Sequence, residues 1–549
     1  MSALAAIQYA AEGFDPRVGK LMGRQIAGQT FLEAWIRYSG AAPLTSWTNN
    51  NEQRDLFIAH ARELGASGPI ASAHATDLDP LKAAGALWLA DPSVARHAWG
   101  RRWHSQNAWS VIGITHTICT HAAMDRIVDL VRAPIQPWDA LICTSNAAKQ
   151  AVTTLVQAEM EYLHARMGAH AFTIPFLPVI PLGVPCDRLR RDPDARKRWR
   201  DELGLDENDV AILQFGRLAL HGKAHPSPLY LALMEASRRL GRRLHLILAG
   251  QFPSPRQEEL YRALAASVSH AVTTHFVDGA RADAGEIRSA ADIGTLLSDN
   301  IQETFGLAPV ELMAAGLPVV ASDWDGLKDT VEPGVTGFRV ETLMPRPGTG
   351  ELLAWRYATF EGLDPFLGGV VQSTAVDIGQ AADAFEALAR DPALRQRMGE
   401  AGRLRAHTHF DWPVIIGAYR DLLAELEATR KASPDVSVAR SGLAPAEPAR
   451  MDPFTTFAGY ASHPITEHTI IKAGPLSGSS VANVLGGQDM AVLNRAALLS
   501  RGDLDLLVKQ LGSGPMTVSA LCDVLPHVSR RKIVLGAGWL LKFGYAARA

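Results

Sequence analysis

A chain of 549 residues exceeds what one hydrophobic core holds and predicts about three domains. Hydrophobic residues make up 47% and charged residues 20%, which excludes a disordered chain, and a net charge of −3 gives no reason to expect nucleic acid or an anionic membrane as partner. The four cysteines, Cys119, Cys143, Cys186 and Cys522, have no CxxC spacing, so neither disulfides nor zinc are indicated, and a reducing cytoplasm is expected. The N-terminus lacks a basic leader and reads as a first strand, and no apolar stretch reaches the ~20 residues of a membrane span.

After that strand, Gly13 to Gly28 is a glycine-containing loop running through Gly23 into an amphipathic helix. Such a loop lets backbone approach an anion closely, although the spacing is not GxGxxG and ordinary turn chemistry explains it equally well. Strand-like and helical stretches then alternate: Pro43–Thr48, Gln53–Leu64 and Pro69–Ala73. Trp109–Ile118 is an apolar run ending in a polar cluster, which puts His116 either at the mouth of a parallel sheet or in a satisfied core or capping role. Trp138–Val152 reads as strand, Ser/Asn cap and helix, and the proline-punctuated Ile174–Pro185 as the way out of a first α/β domain, residues 1–204.

A charged helical stretch, Asp192–Leu203, precedes a second start at Val210–Phe215, a buried strand emptying into a loop with Gly216, Arg217 and Lys223. Two cations at a strand end suit a diphosphate leaving group, and a solvated basic loop is the plainer alternative. Helix Leu229–Leu240, strand Leu244–Gln251, helix Arg256–Ser267 and strand Val272–Val277 follow. Ile293–Ser298 is next a strand, and Pro309–Ala315 a helix with Pro near its first turn and Gly316 past its end. Leu317–Ser322 is again a strand. Glu303 lies in the loop and Glu311 inside the helix; neither carboxylate favours phosphate, so both are expected to accept from hydroxyls, whereas the helix N-terminus suits the phosphate. A ligand with diphosphate in the middle and hydroxyls at both ends is a nucleotide-sugar.

Phe215-Gly-Arg-Leu with Lys223, Leu246-Ile-Leu-Ala-Gly, Glu303-x7-Glu311, Ala315-Gly-Leu-Pro-Val-Val-Ala-Ser and Glu332-Pro-Gly-Val-Thr-Gly-Phe occur in that order. Together they resemble the donor half of the family 4 (group 1) retaining glycosyltransferases of the GT-B fold, over roughly residues 205–342. The first half is similar in its glycine loop, in Thr115-His116 and in Ile180-Pro-Leu-Gly-Val-Pro-Cys-Asp, where Leu182 replaces an Asn of the family. The resemblance implies an α/β chain with two Rossmann-like domains facing across a cleft. It also implies transfer of a sugar from a nucleotide-diphosphate sugar to an unidentified acceptor with retention, without a covalent nucleophile. Arg217 and Lys223 would hold the diphosphate and Glu311 the ribose hydroxyls. Glu303 would face the donor sugar, with the backbone of Gly216, Phe305, Gly306 and Leu307 lining sugar and phosphate. His116 would approach the sugar from the first domain, and the loop near Gly23 would close over the phosphates. No cofactor is expected. Asp323-Trp324-Asp325 has DxD spacing, but that spacing recurs at Asp77/Asp79 and Asp503/Asp505. Its setting resembles the family's S-D-x-G-G loop with Asp325 in place of the first Gly, and metal-independent chemistry is expected. A nucleotide-sugar epimerase and a binding or regulatory protein on a transferase scaffold are the alternative readings.

Residues 205–431 form the expected donor domain. They include an insertion at 341–376, packed on the surface or shaping the acceptor cleft, and a closing helix at 411–429 that returns to the first domain. Residues 432–453 read as a linker. The tail, 454–549, reads as a small helical module with helices at Asp503–Leu511, Val518–Leu525 and Arg530–Phe543, like a helix-turn-helix or winged-helix unit. Three basic residues at Arg530-Arg531-Lys532 fall short of a basic DNA-binding face, so a protein-docking or dimerising role is expected.

Overall fold

Residues 5–18, 23–38, 40, 43–434, 446–481 and 499–549 are described by a computed structural model. The chain divides into two compact units, Met1–Ser441 and Gly442–Ala549.

The first unit holds two six-stranded sheets. In the first, β1 (Ala6–Gln8), β2 (Leu44–Trp47), β3 (Ile70–Ala73), β4 (Ala86–Trp88), β5 (Ser110–Ile114) and β6 (Ala140–Ile142) are all parallel, in the order β3-β2-β1-β4-β5-β6. In the second, β7 (Ala211–Phe215), β8 (Leu244–Gly250), β9 (Val272–Asp278), β10 (Ile293–Leu296), β11 (Val319–Ser322) and β12 (Gly337–Val340) are parallel too, ordered β12-β11-β10-β7-β8-β9. Each sheet reverses its strand order once, between β1 and β4 and between β7 and β10. Connections leave in opposite directions there, opening a crevice at the strand C-terminal ends. Central strands such as β5 and β10 are buried at every position because helices cover both faces of a parallel sheet, which is why they read as unbroken apolar runs.

The elements run close to their expected places. β4 was not anticipated: three residues, Ala-Leu-Trp, carry no period of their own. The charged helix Pro193–Leu203 inserts Ala195 and Trp199 into the core of the second sheet, together with Cys186 and Leu189. Residues 186–203 therefore pack with the second sheet, ahead of the boundary expected at 204. The closing helix, Trp412–Ala432, returns to the first sheet and buries Trp412, Ile415, Ile416, Tyr419, Leu422 and Leu426 there. Gly183 is obligatory at that junction, since a Cβ would sit 2.4 Å from the Trp412 ring. Beneath the first sheet, Arg101 and Asp139 form a bidentate pair at 2.5 and 2.7 Å with both side chains fully buried. Asp139 also accepts from the N–H groups of Val111 and Gln136, and Arg101 donates to the Trp109 carbonyl. Arg101 Nε makes no hydrogen bond to a described group, but the other bonds are what make a buried charge pair tolerable.

The insertion is a helical hairpin, Glu351–Thr359 and Leu363–Gln372, on a two-stranded stem pairing Thr342 with Val376. Of its two expected settings, it takes one at the cleft: Tyr357 Oη accepts from His121 N–H at 3.1 Å and donates to the Cys119 carbonyl, and its ring stacks on His121. Asp364 meets His221 Nε2 at 3.2 Å. The hairpin thus touches the loop after β5 and the loop after β7.

In the second unit, helices Arg501–Leu511, Val518–Val524 and Arg530–Lys542 pack around Leu507, Val518, Leu521, Ile533 and Leu540. The structure adds an antiparallel sheet with Ile470–Ala473 in the middle, paired with Met516–Thr517 and Ala546–Arg548. Strands of two to four residues are too short for alternation to show in a sequence. Of the linker expected at 432–453, residues 435–445 lie outside the described residues. No described helix is long and apolar enough to cross a membrane.

Candidate active site

The loop after β7 carries Gly216, Arg217 and Lys223, and the loop after β10 carries Glu303. These strands flank the order reversal of the second sheet, so the topology itself brings the cations and the carboxylate together. Gly216 has φ of 126°, and its carbonyl lies where a Cβ on Gly250 would be, 1.7 Å away, so two glycines allow the strand ends to cross. Arg217 is exposed, and its guanidinium donates to the Gly222 carbonyl at 3.2 Å and to Gln302 Oε1 at 3.3 Å. Those bonds aim it over the mouth of the site.

Lys223 Nζ pairs directly with Glu303 Oε2, with side-chain exposures of only 17% and 14%. Burial alone would raise the Glu303 pKa, but Lys223 and the N–H of Gly306, 3.2 Å from Oε1, outweigh it and hold the carboxyl below its ordinary range. Ser298 Oγ and Asn300 Nδ2 both bond to the Lys223 carbonyl, so the loop after β10 fixes the lysine's backbone. Asp299, buried beside them, accepts from His225 N–H, yet burial pushes its pKa up to about 7.

The helix after Glu303 is Leu307–Ala314, two residues earlier than the Pro309 start expected. Gly306 caps it with φ of 88°, a left-handed conformation suited to glycine. Its N–H, expected to face sugar or phosphate, is instead held by Glu303 in this state. Phe305 turns its side chain inward, edge-on to Phe410, leaving only its backbone for the site. Glu311 lies in the second turn; burial raises its pKa, opposed by the positive charges of Arg288 and Lys223. Arg288, in the turn Ala284–Ser289, was missed by sequence reasoning, because one Arg in a charged loop has no signature until the fold sets it near Glu311.

The first sheet faces this site with its own strand ends. Thr117 Oγ1 reaches the Gln302 carbonyl at 3.5 Å, Thr144 Oγ1 the Thr304 carbonyl at 3.3 Å, and Asn146 N–H holds Asp329 at 2.7 Å. His116, one residue from Thr117, lines a cavity of about 330 Å³ walled by Phe14, Phe31, Trp88 and Trp412, with Glu12 and Asp91 among its polar residues. Gly23 is the first residue of the helix Gly23–Tyr38; residues 19–22 of its loop lie outside the described residues. Asp323 pairs with Arg339 at 3.3 Å, whereas Asp325 has no such cation.

Two Rossmann-like sheets whose strand ends meet over the cluster of Arg217, Lys223 and Glu303 define the GT-B class. Residues 195–343, within this second α/β domain, match the family described as glycosyl transferases group 1. The chain is 27% identical over 217 residues to the alpha-maltose-1-phosphate synthase of Mycobacterium tuberculosis, covering 39% of this chain and 47% of that protein. It is also 27% identical over 286 residues to the 2-deoxystreptamine glucosyltransferase of Streptomyces kanamyceticus, covering 50% and 65%. The chain thus spans about half the length of the first of these relatives and under two thirds of the second. Among solved structures, Anabaena Alr3699/HepE in complex with UDP and glucose superposes with a TM-score of 0.50 at 15% identity, over 77% of this chain and all of that one, a likeness of fold.

Proposed function

We propose that the chain transfers a sugar from a nucleotide-diphosphate sugar to an acceptor with retention of anomeric configuration. The observation that carries this is the convergence of Arg217, Lys223 and Glu303 at the order reversal of the second sheet, with Thr117, next to His116, brought to Gln302 by the first. Arg217 and Lys223 hold the diphosphate and stabilise the charge that grows on it as the glycosidic bond breaks. That role for the cations makes the reaction metal-independent, and it needs no cofactor. Glu303 exchanges part of its bond to Lys223 for hydroxyls of the donor sugar, and Glu311 accepts from the ribose. The N–H groups of Phe305 and Leu307 and the loop near Gly23 enclose the phosphates, joined by the Gly306 N–H when Glu303 turns from it to the donor sugar. His116 stands between the donor sugar and the aromatic cavity, which receives the acceptor. The acceptor attacks from the leaving-group face and the diphosphate oxygen takes its proton. UDP in the Anabaena neighbour and a glucosyl donor in the Streptomyces relative support the donor class. A cytoplasmic setting suits four free, buried cysteines, and we assign the second unit to protein docking or dimerisation.

Isothermal titration with UDP, GDP and ADP tests the reading, followed by a donor screen for nucleotide release and NMR of the product anomer. Failure to bind any of the three nucleotides would refute it; an inverted product would refute retention alone.

A further inference from the structure

We propose that Asp325 is a contact for the transferred sugar, binding one of its hydroxyls beside Glu303 and so selecting among sugars carried on one nucleotide. The inference rests on the donor reading above and adds a residue for which the group pattern has glycine. Among the described residues, Asp325 is the one non-glycine with positive φ, at 47°. A side chain there costs free energy that a glycine would not, and such strain persists where function requires the side chain.

Among the described groups, one local backbone N–H is all that repays it. Oδ2 of Asp325 is buried and takes no hydrogen bond from any described group, and the carboxyl's one bond is to the backbone N–H of the next residue, Gly326. Of the neighbouring acids, Asp329 accepts from Asn146, and Asp323, which also makes no hydrogen bond through Oδ1, at least has the Arg339 guanidinium at 3.3 Å. Nor is the turn free to swing away. A Cβ on Gly326 would lie 2.4 Å from Phe305 Cα and 2.7 Å from the carbonyl oxygens of Phe305 and Thr304, so the turn is pressed onto the loop that carries Glu303. The carboxyl is close enough to be repelled by Glu303 and attracted by Lys223.

Burial, and then that repulsion, push the Asp325 pKa up to about 7. Near neutral pH a substantial fraction therefore carries its proton. A protonated carboxyl donates through one oxygen and accepts through the other, the complement of a sugar hydroxyl, which does both. A phosphate oxygen would satisfy neither Glu303 nor a charged Asp325, so the sugar end of the donor is the ligand that fits.

The test is titration of wild type, Asp325→Gly and Asp325→Asn with three pairs: UDP and UDP-glucose, GDP and GDP-mannose, ADP and ADP-glucose. For the pair that wild type binds, Asp325→Gly keeps its affinity for the free diphosphate within about threefold. It loses at least about tenfold for the sugar nucleotide, the size of one buried hydrogen bond to a polar partner. Asp325→Asn, which still donates and accepts, falls between the two. Relieved of the left-handed strain, Asp325→Gly melts no lower than wild type. Equal losses for diphosphate and sugar nucleotide, no loss for either, or a glycine variant melting well below wild type overturns the assignment. Wild type binding none of the six overturns the donor reading, and this assignment with it.

Discussion

Replacing Lys223 by Met would separate the two jobs of the Lys223–Glu303 pair. With exposures of 17% and 14%, the pair is screened far less than a surface bridge. Removing one partner leaves Glu303 with the backbone N–H groups of Gly306 and Thr304, in a setting where burial raises its pKa. Breaking a buried pair costs about 3–5 kcal/mol, and residual exposure brings the figure here to roughly 2–4 kcal/mol. The second loss is to the ligand: a lysine–phosphate bond contributes about 1.5–3 kcal/mol, so nucleotide affinity falls roughly 10- to 150-fold. Glu303→Gln has the opposite signature. It releases Lys223, so diphosphate affinity stays within about threefold or improves, while turnover is lost. The double variant recovers most of the stability lost by Lys223→Met, because no charge is left stranded. Thermal melts and titration of the free diphosphate across this four-member cycle give every term. Equal loss of nucleotide by Glu303→Gln and Lys223→Met would refute the division of labour argued here.

Asp139→Ala strands a fully buried Arg101 and is expected to cost about 3–5 kcal/mol, whereas Arg101→Met with Asp139→Asn strands no charge, leaves a side-chain oxygen there as an acceptor for the Val111 N–H, and costs less; denaturation midpoints of the three proteins decide it. Asp299 sets a pH dependence. Its folded pKa of about 7 lies above the ordinary 3.8, so its contribution to stability is complete below pH ~4 and is lost as pH rises through 7. Asp299→Asn should flatten the melting-temperature profile across that window; an unchanged slope would exclude Asp299 as its source. Tyr357→Ala removes the bonds to Cys119 and His121 and the stacking on His121 and Phe366. Amide exchange in Glu351–Thr359 and Leu363–Gln372 should then quicken by about tenfold or more while β7 and β10 are unaffected, and unchanged protection would mean that the hairpin does not depend on this anchor.

Much of the donor half was legible because its signals are local. β10, the Glu303 loop and the following helix are contiguous, and an apolar run, a glycine and a proline mark their borders over a few residues. The same holds for Gly216, where a left-handed turn demands the residue type wherever the loop occurs. Arg288 beside Glu311, Tyr357 against His121 and the packing of Trp199 with the second sheet were not legible, since each depends on elements tens to hundreds of residues apart. Asp325 was read as half of a DxD and as a replacement for a glycine of the S-D-x-G-G loop. Its left-handed backbone and unpartnered oxygen emerge when Gly326 is pressed against Phe305.

By itself the sequence determined the α/β alternation, the two starts and the chemical kinds of residue at the strand ends, because periodicity and turn chemistry act over neighbours. The tertiary structure alone decided which ends meet. Strand order, reversed once in each sheet, is a long-range choice made by packing, and it puts Lys223 on Glu303 and brings Thr117 to Gln302.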